Sequence, residues 1–146
     1  FEALVLAEAG LRRLGLRARI TQTLTFDVML PAVGQGALGI ECRADDVATR
    51  AAVAPLEDAS TRAAVTAERA LLHNLRGGCM APVGAWGRIE QGMLALSAGV
   101  LSADGTKRLS ADDTEEPQHA ESLGKRVATQ LIDRGAVELI AASRNS

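Results

Sequence analysis

The sequence predicts an α+β fold in which a three-stranded antiparallel sheet is covered by helices on one face and is preceded by remnants of α/β domains. Three observations support this prediction. Apolar residues recur at helical spacing after residue 59, the pattern changes to that of strands at Pro82, and helical spacing returns after Pro117. Helices and strands that occur in separate runs are typical of α+β units.

Composition excludes several classes of function. The 146 residues carry a net charge of −2, which gives no basic surface for nucleic acid. Aromatic residues make up 2% and Tyr is absent, so the stacking platforms of single-strand binders are missing. The sequence has no apolar run long enough to span a bilayer, no signal peptide and no cluster of Cys and His. We therefore expect a cytoplasmic protein without a metal site.

Residues 1–28 are expected to be the end of a truncated α/β domain. Residues 3–7 form a short apolar run that is typical of a buried strand, and a short helical stretch over residues 8–15 follows it. A buried parallel strand needs a partner on each side, and the neighbouring sequence is too short to supply both. The run therefore suggests a domain that has been cut.

Residues 29–54 are predicted to form a strand and a helix that return to a missing N-terminal domain. Pro31 and the glycines before residue 37 indicate a turn, residues 37–42 are typical of a strand, and Asp45-Asp46 caps a helix that ends near Pro55. Residues 55–58 are the expected hinge. The Gly-x-Gly lacks the remaining features of a phosphate loop, so it does not support nucleotide binding.

Residues 59–146 are predicted to be the C-terminal domain. Its first helix runs from about Ser60 to Gly77 and ends in a glycine-rich loop. Strands are expected at residues 83–88, 93–102 and 107–113, with a solvated acidic turn at 112–116. The apolar positions of the next helix are Ala120, Leu123, Val127, Leu131 and Ile132, and Gly135 separates that helix from a last one over residues 136–142.

Gly77-Gly78-Cys79 places a thiol on a loop that lacks the usual Cβ restrictions. Such a loop lets another molecule approach the main chain, which suits a covalent attachment. The alternative is that the glycines end the helix and that Cys79 is a small buried apolar residue.

Four motifs, read together, resemble hydroxymethylbilane synthase, also called porphobilinogen deaminase, over nearly the whole sequence. The motifs are LPAVGQGALGIECR (residues 30–43), TAER (66–69), GGC (77–79) and PVG (82–84). The resemblance implies a three-domain transferase of haem and tetrapyrrole (porphyrin) biosynthesis. That enzyme joins four porphobilinogen molecules with loss of ammonia and releases hydroxymethylbilane.

The resemblance also implies roles for individual residues. Cys79 matches the cysteine that holds the dipyrromethane cofactor through a thioether, with Gly78 leaving room for the first ring. Arg13 matches a cleft arginine that contacts the carboxylates of the cofactor or the growing polypyrrole chain. Gln35 and Gly36 match the turn that lines the cleft. From the residues alone, Arg13 is an exposed helix charge and Gln35 is part of a structural turn.

No catalytic residue is assigned within this sequence, because the general-acid/base aspartate of the family lies in its N-terminal domain. The resemblance therefore implies a C-terminal fragment that is inactive alone and whose partners are the missing domains and porphobilinogen. The full-length enzyme is expected to be a monomer, whereas the exposed strand 37–42 offers the fragment a route to self-association. The alternative is a non-catalytic interaction or structural module.

Overall fold

The computed structural model describes residues 2–78 and 81–143, and its sheet is the predicted antiparallel meander. The three strands, in the spatial order β1-β2-β3, are β1 (Val83–Glu90), β2 (Met93–Leu101) and β3 (Arg108–Glu115). Their register aligns Ala85, Ala98 and Ala111 in one row across the sheet. The acidic run that the sequence assigned to a turn belongs largely to β3, because Asp113 and Glu115 both bind Arg126 on the adjacent helix.

Five α-helices lie within the described residues. They are α1 (Glu8–Arg13), α2 (Val47–Val53), α3 (Ala59–Asn74), α4 (Ala120–Asp133) and α5 (Ala136–Ser143). Short 3-10 turns occupy Arg17–Arg19, Ala54–Leu56 and Pro117–His119. No helix among these residues has both the length and the apolar character needed to cross a membrane.

Helices α3 and α4 pack side by side on one face of the sheet, which confirms the predicted fold class. Leu71 of α3 and Leu123 and Val127 of α4 are fully buried between the layers. Gly124 permits the close approach of the two helices, because a Cβ built on it lies 2.2 Å from the carbonyl oxygen of Ala67. The predicted apolar positions of α4 are correct except for Ile132, which is 37% exposed.

The ends of α3 differ in detail from the sequence prediction. The helix begins after Asp58, whose Oδ1 accepts a hydrogen bond from the Thr61 amide at 2.7 Å. It ends earlier than predicted, since the left-handed residue is Arg76 with φ of 52° and not a glycine. The Arg76 and Gly77 amides donate to the carbonyls of His73 and Leu72, which is the pattern of a Schellman motif.

The strands predicted at residues 3–7 and 37–42 do not form. Within the described chain neither segment pairs with another strand, and their apolar side chains face solvent, with Leu4 69% and Leu38 94% exposed. A strand of this type is stable only when neighbouring strands satisfy its amides and carbonyls and cover its side chains. The local sequence therefore has the character of a strand without the pairing that produces one.

Residues 26–34 cross the sheet face opposite the helices and then follow the outer edge of β1. Leu30 packs against Gly84, where a Cβ would lie 2.8 Å from the leucine Cβ. Ala32 forms an isolated antiparallel bridge with Gly84, and the Ala85 amide donates to the Pro31 carbonyl at 2.9 Å. This segment brings the predicted Gln35 turn against the C-terminal domain.

Candidate functional site

The glycine loop after α3 is described up to Gly78 and again from Ala81. Gly77 is packed tightly, because a Cβ on it would lie 2.6 Å from Leu72 Cδ1. Gly78 is exposed, with no described atom within 4 Å of its built Cβ apart from its chain neighbours. The Ala81 amide donates to the Gly78 carbonyl at 2.9 Å. The predicted anchor, Cys79, lies outside the described residues, so its role stays a prediction.

The Gln35 turn is built on two glycines with left-handed backbone. Gly34 has φ of 73° and Gly36 has φ of 85°, a region that side chains with a Cβ rarely adopt. The Gln35 amide donates to the Ala32 carbonyl at 3.0 Å, and the Ala37 amide donates to the Gly34 carbonyl at 3.2 Å. Gln35 and Gly36 are exposed, and the Gln35 side chain has no hydrogen-bond partner in the part of the chain that the structure describes. The turn therefore presents a free amide and an open backbone.

Glu68 joins this turn to the helix that leads to the glycine loop. Its Oε2 accepts a hydrogen bond from the Gly34 amide, and its Oε1 accepts one from the Gly87 amide in β1, both at 2.7 Å. The residue is 6% exposed and is the one charged residue among the buried part of the described chain. One carboxylate thus connects three segments.

A cavity of about 500 Å³ lies between the turn, the start of α3 and β1. Gln35, Gly36, Ser60 and Arg88 contribute polar groups to its lining, and the Trp86 ring forms part of its wall. The Arg88 guanidinium lies 4.1 Å from the Trp86 ring centroid and donates to Ser97 Oγ at 3.0 Å. The cavity therefore combines hydrogen-bond donors with an aromatic surface.

Trp86 also contacts the N-terminal segment. The Phe26 ring stacks on it with centroids 4.0 Å apart and an interplanar angle of 27°. A larger groove of about 560 Å³ lies on this open face of the sheet, between Phe26, Arg108 and Arg134. None of the site residues expected from the sequence lines that groove, so the cavity beside the Gln35 turn is the better candidate site.

Arg13 ends α1 and is exposed. It has no hydrogen-bond or ion-pair partner among residues 2–78 and 81–143, whereas Arg12 binds Glu8 at 2.5 Å. The hydrogen bond from Arg12 lowers the pKa of the Glu8 carboxyl. Helix α1 packs chiefly against the 3-10 turn that follows it, and Arg13 does not line the cavity beside Gln35. The structure therefore does not bring these two predicted residues together.

The remaining candidates have ordinary surroundings. His73 and His119 are exposed, and the described residues contain no cluster of three metal-type ligands. Cys42, at the end of the predicted strand 37–42, is an exposed free thiol. Its exposure follows from the absence of the strand at residues 37–42.

Sequence reasoning missed the hydrogen bonds of Glu68 and the stacking on Trp86. A signal for the first was present, because Glu68 occupies a position beside Ala64, Ala67 and Leu71, which form the buried stripe of α3. A charged residue in such a stripe is rare unless it is paired. No comparable signal marks Phe26 as the partner of Trp86, since the two residues are 60 positions apart and neither lies in a motif.

The fold is an α+β domain whose sheet edge is held against the Gln35 turn of the preceding segment. The model of the porphobilinogen deaminase C-terminal domain matches residues 62–133, and the model of the dipyrromethane cofactor-binding domain of that enzyme matches residues 1–51. A porphobilinogen deaminase from Desulforudis audaxviator is 50% identical over 143 residues, which is 98% of this chain and 46% of the relative. The chain belongs to the porphobilinogen deaminase family. It spans about half the length of that curated relative.

Proposed function

We propose that this chain is the cofactor-anchoring portion of a porphobilinogen deaminase, also called hydroxymethylbilane synthase. The complete transferase joins four porphobilinogen molecules, loses ammonia and yields hydroxymethylbilane for haem and related pigments. The order of the two matched domains and the 50% identity to a porphobilinogen deaminase support this proposal. The observation that carries it is that one helix, α3, both holds the Gln35 turn through Glu68 and leads into the Gly77-Gly78-Cys79 loop.

In this proposal Cys79 forms the thioether to dipyrromethane. The cofactor supplies the primer on which the pyrrole chain grows. Gly78 supports the assignment because its backbone is exposed and unobstructed immediately before the thiol. A carbon–sulfur bond suits the task, since it survives repeated condensation while the finished tetrapyrrole is cleaved away.

Arg13, Gln35 and Gly36 are the proposed non-covalent contacts to the cofactor or growing chain. Their chemistry fits a ligand that carries acetate and propionate groups. Arg13 offers a guanidinium that stays charged and binds carboxylates in bidentate fashion. The side chains of Arg13 and Gln35 have no partner in the described residues, so both are free to donate. Gly36 lets a ring approach the backbone because it lacks a Cβ.

The proposal assigns no general acid or base to this chain, so the 146 residues alone are expected to be inactive. The partners are the part of the family's chain that this one does not cover, together with porphobilinogen. Exposed apolar side chains of the N-terminal region support such a partner, among them Leu14 at 72% and Leu38 at 94%. The full-length enzyme is expected to be a monomer, and the same exposed surface gives the fragment a route to self-association.

Intact mass tests the anchor. The chain is expressed with the remaining domains in trans, separated and weighed, and we expect a mass gain of one dipyrromethane. Cys79→Ser abolishes the gain, whereas Cys42→Ser retains it, because Cys42 is an exposed thiol with no assigned role. An unmodified Cys79 under these conditions contradicts the anchor. Sustained tetrapyrrole formation by the isolated chain from porphobilinogen contradicts the expected inactivity.

A further inference from the structure

Two neighbouring outward-facing amides of β1, those of Ala85 and Gly87, are bound by groups from distant parts of the chain. Strand β1 lies at the end of the strand order, so alternate amides point away from β2. The Ala85 amide donates to the Pro31 carbonyl, and the Gly87 amide donates to Glu68. Both acceptors come from segments other than the sheet, and Glu68 also holds the Gly34 amide.

The Glu68 carboxylate is suited to fix the geometry of this junction. It lies in the middle of α3, a helix anchored by core residues such as Ala67 and Leu71, each 0% exposed. Hydrogen bonds between an ionised carboxylate and backbone amides are about twice as strong as those between neutral groups. Because each oxygen binds a different segment, the turn cannot move away from α3 without leaving an amide or a carboxylate oxygen unpaired.

We propose that Glu68 is a positioning residue that holds Gln35 and Gly36 at a fixed distance from the helix end preceding the anchor loop. This inference rests on the proposed function, in which the turn contacts the pyrrole chain that Cys79 carries. Catalytic groups lose effectiveness when their partners shift, and a displacement of about 1 Å can cost roughly 100-fold in rate. Glu68 also lines the cavity beside Gln35, but both of its carboxylate oxygens are engaged by the Gly34 and Gly87 amides, so in this scheme it acts through the turn.

A distance measurement tests the positioning directly. In a Cys42→Ser, Cys79→Ser background, Gln35→Cys and His73→Cys place one spin label on the turn and one near the end of α3, where His73 is exposed. We expect Glu68→Gln to broaden the distance distribution at least twofold, because an amide group places a donor opposite one of the two backbone amides. Glu121→Gln is the matched control, since Glu121 is an exposed carboxylate that binds Lys125 at 2.6 Å.

An unchanged distribution in a folded Glu68→Gln variant overturns the proposal. If circular dichroism reveals that this variant does not fold, Glu68→Asp takes its place. The shorter side chain keeps the charge but reaches only one of the two amides, so we expect it to broaden the distribution as well. A distribution as narrow as that of the parent again rejects the positioning role.

An activity measurement separates this proposal from the proposed function. The chain is assembled with the remaining domains, and the rate of tetrapyrrole formation is divided by the fraction of Cys79 that is loaded. We expect Glu68→Gln to lower this normalised rate at least tenfold, while Glu121→Gln retains it. An unchanged rate per loaded thiol refutes the role of Glu68. An unloaded Cys79 in the parent refutes the proposed function instead, and the spin-label result then decides on Glu68 alone.

Discussion

Glu68 illustrates how one buried charge is retained in a core of small apolar residues. Removing a carboxylate from water costs several kcal/mol unless hydrogen bonds compensate. Here both oxygens accept short hydrogen bonds from backbone amides, and no buried side-chain nitrogen or oxygen atom in the described residues lacks a partner. The carboxylate therefore contributes to stability only while both amides remain in place.

Truncation of this side chain is expected to be costly. Glu68→Ala leaves the Gly34 and Gly87 amides without acceptors, and we expect the free energy of unfolding to fall by about 2–4 kcal/mol. Urea denaturation followed by the fluorescence of Trp86, the only tryptophan in the sequence, measures the change. Glu90→Ala serves as the control and is expected to cost less than about 1 kcal/mol, because its ion pair is exposed. Equal losses in the two variants contradict the assignment.

Asp104 in the turn between β2 and β3 gives a pH-dependent contribution. Hydrogen bonds from the Ser102 hydroxyl and from the amide and hydroxyl of Thr106 lower the pKa of this carboxyl from 3.8 to about 2. A lowered folded-state pKa stabilises the fold above pH 3.8, and this contribution is lost as pH falls towards about 2. Stability falls on acidification because the Asp104 carboxyl takes up its proton at a higher pH in the unfolded chain than in the folded one.

We therefore expect Asp104→Asn to be less stable than the parent at neutral pH, with a difference that shrinks on acidification. Urea denaturation of both proteins at neutral pH and at steps down to about pH 2 measures this difference. The other carboxyls contribute equally to the pH dependence of both proteins, so their contributions cancel in the difference. One of them is Asp58, whose pKa is lowered by the Thr61 amide. A difference that is constant over this range contradicts the hydrogen-bonded turn.

At the scale of elements, the contact between α3 and α4 depends on a residue without a side chain. Gly124 faces the backbone of α3 at a separation that excludes a methyl group. Protein interiors are close-packed and backbone atoms cannot rotate away, so added volume must push the helices apart. The distance between these helices is thus set by the smallest residue in the interface.

Gly124→Ala is expected to lower the free energy of unfolding by about 2 kcal/mol, because overpacking outweighs the helix propensity that alanine adds. Gly10→Ala in α1 is the control, since a Cβ there meets no atom within 4 Å. The control is expected to be neutral or slightly stabilising. Thermal unfolding followed by circular dichroism measures both variants, and a neutral Gly124→Ala would show that the helices adjust freely.

The elements also indicate how far the sequence can be interpreted. The stripes of α3 and α4 and the β1–β2–β3 meander were predictable, because periodicity reflects which side of each element is buried. The end of α3 at Arg76 was not predictable. A left-handed residue at a helix end is usually a glycine, so the sequence indicated Gly77, the next position, instead. The cavity beside Gln35 was not predictable either, as its walls come from segments distant in sequence. The turn itself was predictable from Pro31 and its glycines.

At the scale of the whole molecule, residues 26–34 attach the N-terminal segment to the C-terminal domain. Phe26 stacks on Trp86, Leu30 covers Gly84, and Gly34 is held by Glu68. The strands that failed to form lie on either side of this attachment, where apolar side chains remain exposed. Periodicity could not predict that outcome for residues 37–42, because it does not report pairing partners. For residues 3–7 the sequence already indicated that both strand partners could not be supplied.

Removal of the Phe26 ring is expected to loosen this attachment while leaving the sheet and its helices intact. Phe26→Ala exposes one face of Trp86, so we expect its emission to move to longer wavelength and proteolysis within residues 1–30 to accelerate severalfold. Met29→Ala is the control, because both side chains belong to residues that are 46% exposed but only Phe26 contacts the indole. Identical emission and cleavage in the two variants contradict the stacking.

The protected edge of β1 has a consequence for the order in which the protein is made. Residues 31–34, which cover that edge, and Glu68, which caps the Gly87 amide, all precede β1 in the chain. The ribosome therefore synthesises residues 31–34 and Glu68 before it synthesises β1. Because unpaired strand edges recruit other chains, this order gives the nascent sheet no interval in which β1 is complete but its cover has yet to be synthesised.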